Sequence, residues 1–213
     1  MPWTLRDLEN QLLIGSTLVE GSTLTEDGAR EVLQGRTLVG HSVQEHRELL
    51  NYRMAAGWLM KQVEASPFLS VDLVLVFHHR LLDGLSDASG MFKRYPNYTY
   101  LSDGTRFDYA KPAAVEPAMR AWVAHFNAPV TDATPSRQAA ELYYDFQCIH
   151  PFDDGNGRVG RVLLAYWLHW KANASWCFHA TDKLTHLSAL EDAAGGNLKP
   201  LAEFIRERTE ADS

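Results

Sequence analysis

Apolar residues along this 213-residue chain recur mainly with the period of helices. Leu5, Leu8, Leu12 and Leu13 predict a first short helix. The Gly-, Ser- and Thr-rich stretch from Gly15 to Gly28 should break it. Thr23-x-x-Glu26 has the form of a capping box and predicts a short helix ending near Gly35. Leu49, Leu50, Tyr52, Met54, Ala56, Leu59 and Val63 predict another between Glu45 and Glu64. The next should begin near Pro67 and stop at Gly84, with Val71, Leu75, His78 and Leu82 on one stripe. From Gly90 to Pro112 the chain turns aromatic and β-prone, and Asp103-Gly104 divides it as a hairpin turn would. Helical faces then resume at Val115, Met119, Trp122, Val123 and Phe126. After a loop from Ala128 to Ser136, Ala139, Leu142, Tyr143, Phe146 and Ile149 form the next face. Val159, Val162, Leu163, Tyr166, Trp167 and Trp170 follow, with both tryptophans expected in the core. Leu187, Leu190 and Ala194 mark a late helix, and Leu201–Arg208 closes the chain. There are no repeats. The expected architecture is all-α, one domain over residues 1–213, with one exposed β-hairpin.

A net charge of −7 argues against a broad nucleic-acid-binding surface but leaves room for a local anion site. Charged residues within the first twenty exclude a signal peptide, and no apolar run reaches the roughly 18 residues of a membrane span. Cys148 and Cys177 sit among apolar residues, as reduced thiols of a cytoplasmic protein would.

The stretch IHPFDDGNGRVGR, from Ile149 to Arg161, concentrates the chemistry. Its glycines fit a dinucleotide fingerprint in spelling only, because a helical period precedes them where a strand is required. It also lacks the Gly-Lys-Ser/Thr ending of a P-loop. A glycine-rich turn entering a helix presents backbone N–H groups to phosphate oxygens. Arg158 and Arg161 project near that turn and offer forked donors to phosphate. A carboxylate at Asp153 or Asp154 fits beside an anion when Mg²⁺ lies between them. His150, ending the preceding helix, can take a proton from a hydroxyl. Together these are the parts of a phosphoryl or nucleotidyl transferase. The alternative is an ordinary interhelical turn with a capping histidine and solvated arginines.

The segment His150–Arg161 resembles the signature of Fic-domain proteins, His-x-Phe-x-Asp/Glu-Gly-Asn-Gly-Arg-x-x-Arg, at every fixed position. The upstream hairpin, about residues 92–110, is similar to that family's flap, which positions a target segment. The resemblance implies the helical Fic fold and transfer of AMP from ATP to a Ser, Thr or Tyr hydroxyl of a target protein. It makes His150 the general base and Asp154 the Mg²⁺ ligand. Asn156 and the Gly155 and Gly157 backbone would form an anion hole, and Arg158 and Arg161 would bind phosphates. Phe152 would be a core anchor and Asp153 a solvated residue. A homodimer is compatible with the resemblance, although no apolar stripe is clearly spare for an interface.

Ser16, Glu20 and Gly21 also fit the family's inhibitory pattern, Ser/Thr-x-x-x-Glu-Gly/Asn, within a segment of about residues 5–22. Glu20 would then pair with Arg161 and compete with a phosphate for the same donors. The competing reading is a capping box, Thr17-x-x-Glu20. The tail departs from the family. His186 and Leu187 stand where a Tyr-Tyr pair lines the adenine pocket, and Ala194 stands where an Asn does. Three alternatives to AMP transfer therefore stay open: another nucleotide donor, AMP removal, and a non-catalytic nucleotide-binding module. His78 and His79, adjacent on a helix, point about 100° apart and make no chelating pair; His78 reads as a core histidine. Tyr95, Tyr98, Tyr100 and Phe107 read equally as a docking surface or as cross-strand packing.

Overall fold

The first helix runs further than its composition predicts. In the computed structural model, which describes residues 4–66, 68–130 and 135–211, α1 (Leu5–Leu8) passes through a π-helical segment (Glu9–Leu13) into α2 (Ile14–Val19) without a break. Gly15, Ser16 and Thr17 lie buried inside this helix instead of ending it. A Cβ at Gly15 would strike the Phe178 carbonyl oxygen and lie 2.8 Å from the His179 Cα, so glycine is what lets the two backbones press together. The Gln11 carbonyl accepts the Phe178 N–H at 2.6 Å and fixes the same contact. The helix ends at Glu20, and Gly21 takes the left-handed turn that follows.

Helix α3 (Glu26–Leu33) is capped by Thr25, two residues after the expected Thr23. Thr23 instead gives its N–H and hydroxyl to the Glu45 carboxylate, at 2.8 and 2.7 Å. Glu45 also closes the Ser42 capping box of α4 (Val43–Ala65). Helix α5 (Val71–Leu81) starts from Ser70; Pro67 lies outside the described residues. Its buried face is Val74, Phe77, His78 and Leu81; of the predicted stripe His78 and Leu82 are buried, and Val71 and Leu75 only partly so.

The faces predicted for α6 (Pro112–Asn127) and α7 (Pro135–Ile149) are buried as expected. The loop between them is shorter than predicted, because Pro135 and Ser136 already belong to α7; residues 131–134 lie outside the described set. Helix α8 (Asn156–Ala172) is buried on nearly every side, packed against α7 and α2. Trp167 is fully enclosed, whereas Trp170 is half-buried.

The expected hairpin pairs β1 (Tyr98–Tyr100) with β2 (Arg106–Asp108), Thr99 opposite Phe107, around a left-handed Gly104. A second antiparallel pair, β3 (Ala174–Trp176) with β4 (Thr209–Ala211), ties the end of the chain to the end of α8. A 3₁₀ turn (Ala180–Asp182) precedes α9 (Lys183–Ala194), and α10 (Lys199–Glu207) packs on α9 and α7. On α9 the buried residues are His186, Ala189 and Ala193, not the Leu187, Leu190 and Ala194 face that the spacing predicts. Neither cysteine forms a disulfide, and both are half-buried. Among the described residues no helix is long and apolar enough to cross a membrane.

Candidate active site

His150 follows the last turn of α7 with φ +46, a conformation uncommon for any residue but glycine. Its ring stacks on Tyr109, with centroids 3.8 Å apart and planes within 11°. Nδ1 faces the Gln147 carbonyl at 3.3 Å. A carbonyl only accepts, so Nδ1 carries the proton and Nε2 keeps its lone pair. Burial pushes the imidazole down to about 4, and the neighbouring Lys93 ammonium adds to the effect. His150 is therefore a neutral base at neutral pH.

The loop after it is braced from inside. The Asn156 side chain accepts the Phe152 N–H and donates to the Phe152 carbonyl, both at 2.9 Å. Its amide is thus spent on the loop, and its backbone N–H is what it can offer an anion. Phe152 is fully buried and stacks on His78 at 3.7 Å. His78 donates through Nε2 to the Asp154 carbonyl at 3.0 Å and accepts the Gly90 N–H on Nδ1 at 2.9 Å. The core histidine expected from the sequence is thus also a clamp on the motif loop. Asp153 is exposed, as anticipated.

Gly155 enters α8 in the left-handed region, where a Cβ would press on Leu81 at 3.3 Å. Its N–H goes to Asp154 Oδ1 at 2.6 Å. The Asn156, Gly157 and Arg158 N–H groups, at the first turn of a 17-residue helix, have no partner within the helix. Asp154 has a side chain that is 65% exposed and receives Arg158 Nη2 at 3.2 Å. Arg158 is buried, and its Nε has no partner among the described residues.

Glu20 ends α2 instead of starting a helix, so the capping-box reading of Thr17 and Glu20 has no helix to cap. Its carboxylate receives Arg161 Nη2 and lies against Gly157, where a Cβ would collide with it. Arg161 is buried, its Nε donates to Ser16 Oγ at 2.7 Å, and its guanidinium lies 5.0 Å over the Phe178 ring. Burial opposes its charge, yet the Glu20 carboxylate leaves its pKa raised. Ser16 Oγ lies 3.1 Å from Tyr52 Oη, which donates to the Arg158 carbonyl at 2.9 Å. A directed chain thus runs from Arg161 through Ser16 and Tyr52 to the backbone of α8. Burial pushes Tyr52 up to about 12, so the chain stays protonated. Gly21 contributes its left-handed backbone, and a Cβ there would meet open space.

A groove of about 250 Å³ runs between the hairpin, α7 and α9, lined by Thr99, Tyr109, Tyr144, Leu187 and Ala194 among others. Leu187 and Ala194 thus face the site side. His186 does not: it is buried against Tyr143, Phe178 and Phe204, with Nε2 2.9 Å from Tyr143 Oη. The Ser102 N–H and hydroxyl hold Glu191 at 2.7 and 2.5 Å, tying the hairpin tip to α9. Tyr95 and Tyr100 stay exposed, whereas Phe107 packs on Tyr109.

Sequence reasoning missed Tyr52, Lys93 and Tyr109, whose contacts with Arg158, Ile149 and His150 each join residues 40 or more apart along the chain. No local pattern marks them.

The buried histidines give the fold an acid-side weakness. Burial pushes His78 down to about 4 and His186 to about 3. The unfolded chain, with imidazoles near 6.5, binds more protons between those values, so stability falls as pH drops from about 6.5 towards 4. At pH 5 each histidine is expected to cost about 2 kcal/mol, from 1.36 kcal/mol per unit over about 1.5 units. Thermal melts at about pH 7.5 and pH 5 should show the loss; an unchanged midpoint would contradict it.

Residues 68–168 match the model of the Fic/DOC family. The match covers a little under half of the chain and contains the whole of the His150–Arg161 segment. It is 27% identical over 197 residues to "Protein adenylyltransferase fic-1" of Caenorhabditis briggsae, covering 91% of this chain and 38% of that protein. It is 28% identical over 206 residues to "Protein adenylyltransferase Fic" of Drosophila melanogaster, covering 94% and 40%. The chain therefore spans well under half the length of these relatives. Among solved structures, a Fic domain-containing signalling protein of Bacteroides thetaiotaomicron superposes with a TM-score of 0.86 at 23% identity, over 95% of this chain and 83% of that one.

Proposed function

We propose that this chain is a protein adenylyltransferase that moves AMP from ATP to a Ser, Thr or Tyr hydroxyl of a target protein, and that Glu20 holds it inactive. The observation that carries the reading is one neutral histidine beside a glycine turn with open N–H groups and two buried arginines. The adenylyltransferase names of its relatives supply the direction.

In this reading the target hydroxyl attacks the α-phosphorus. His150 Nε2 takes its proton, the bond from the α-phosphorus to the bridging oxygen breaks, and pyrophosphate leaves. The N–H groups of Asn156, Gly157 and Arg158 receive phosphate oxygens, and the arginines neutralise charge as it moves to the leaving group. Among the described residues no group of three or more His, Cys, Asp and Glu side chains could hold a metal. A single exposed carboxylate beside an anion cradle instead suits Mg²⁺ shared with phosphates, and Asp154 would hold it. When bound, the metal would neutralise phosphate charge. The hairpin would align a target strand by main-chain pairing.

The groove between hairpin and α9 would take the nucleobase. Leu187 and Ala194 line it and offer no side-chain hydrogen bond, so base choice would rest on other lining groups. The test is intact mass of Glu20→Gly protein incubated with Mg²⁺ and, separately, ATP, GTP, UTP and CTP. A gain of one adenosine monophosphate, from ATP alone, is expected. A gain from another triphosphate would replace the donor, and no gain with any would overturn the reading.

A further inference from the structure

The left-handed backbone of His150 needs something to hold it. A residue in that region carries a conformational cost and persists only where its surroundings over-determine it. One residue, Lys93, grips the peptide groups on both sides. Its backbone N–H donates to the Pro151 carbonyl at 2.9 Å, and its Nζ donates to the Ile149 carbonyl at 3.2 Å. Nζ also donates to Asn97 Oδ1 at 2.6 Å, and Asn97 Nδ2 reaches on to the Phe152 carbonyl at 3.4 Å. The ammonium lies 5.8 Å over the Tyr109 ring, whose face stacks on the His150 imidazole.

Lys93 is 3% exposed, and its hydrogen-bond partners are neutral oxygens. Burying an ammonium in this way costs free energy that an apolar side chain of the same length would not. The placement has two returns. The charge sits at the C-terminal end of α7, where carbonyls point outward and the helix dipole is negative. It also fixes the stretch between α7 and the glycine turn, and so the direction in which His150 Nε2 points.

We propose that Lys93 is a positioning residue: its ammonium and its N–H together pin the Ile149 and Pro151 carbonyls on either side of His150 and aim the imidazole at the incoming hydroxyl. The kinetic part of the test rests on the adenylyl-transfer reading; the exchange part does not. Lys93→Met and Lys93→Arg are each made in the wild-type and Glu20→Gly proteins. In Glu20→Gly, Lys93→Met should lower kcat for transfer about tenfold or more and leave KM for ATP within about twofold, since the phosphate site is untouched. Lys93→Arg, which keeps donors at the site, should restore most of kcat. In the otherwise wild-type protein, hydrogen exchange at the amides of His150 and Phe152 should quicken in Lys93→Met while exchange in the rest of α7 and α8 holds. Unchanged local exchange with unchanged kcat would overturn the proposal. So would faster exchange across the whole chain with kcat and KM degraded together, which marks a merely structural lysine. If Glu20→Gly itself transfers nothing, the functional reading fails, and local exchange alone decides the role of Lys93.

Discussion

Replacing Glu20 with glycine is expected to raise adenylyl transfer about 10- to 100-fold. The carboxylate is held by the Arg161 guanidinium and lies against Gly157, where the proposed function would seat an anionic phosphate. A charge-assisted hydrogen bond of this kind is worth about 1.5–3 kcal/mol, and a phosphate must displace it before it can use the same donors. In Glu20→Gly the fork is freed, while Ser16 still holds Arg161 through Nε at 2.7 Å. The arginine therefore stays aimed at the site. The backbone should not resist the change, because Glu20 is the residue just past the end of α2, but the buried Arg161 loses its counter-charge, so some stability should be lost as well and rates must be compared at matched folded fraction. Initial rates of wild type and variant, at matched folded fraction, measure the effect. Equal rates would return Glu20 to a structural role, and a fall would make it a participant in catalysis.

The second large effect falls on His150. In the Glu20→Gly background, His150→Asn is expected to lower transfer by about 10²–10⁴, the usual contribution of a positioned general base. Asparagine is chosen because it tolerates the left-handed backbone found there, so the loop geometry should survive. Affinity for ATP with Mg²⁺ should be unchanged, since the proposed phosphate donors lie on α8 and not on His150. Calorimetric titration and rate measurements on the same preparation separate the two quantities. Transfer that persists undiminished would remove His150 as the base. Lost nucleotide binding would show that it acts through the loop instead.

Much of this site could be read from the chain because its chemistry is contiguous. His150 to Arg161 supplies base, carboxylate, turn and arginines within one loop and one helical start, and spacing alone places them together. The hairpin was equally legible, since Asp103-Gly104 carries its own turn geometry. What spacing could not convey was which polar groups meet across the fold. Tyr52 reaches the Arg158 carbonyl, and Lys93 reaches Ile149, from helices and loops far off in sequence. Gly15 misled in a different way. Its composition reads as a break, whereas its missing side chain is what lets α2 pack against Phe178 and present Glu20 to Arg161. On α9, both sides carry apolar residues, so periodicity could not say which side meets the core and which lines the groove. The β3–β4 pair joins three-residue strands more than thirty residues apart, too short to register as a pattern.

The most direct measurement is to incubate Glu20→Gly protein with Mg²⁺ and ATP radiolabelled at the α-phosphate or, separately, at the γ-phosphate. Adenylyl transfer predicts protein-bound label from the α-labelled nucleotide only, with the γ label released as pyrophosphate and both signals lost in His150→Asn. Protein-bound γ label would make the chain a phosphoryl transferase, and no bound label from either, in folded protein that binds ATP, would contradict the transferase reading altogether.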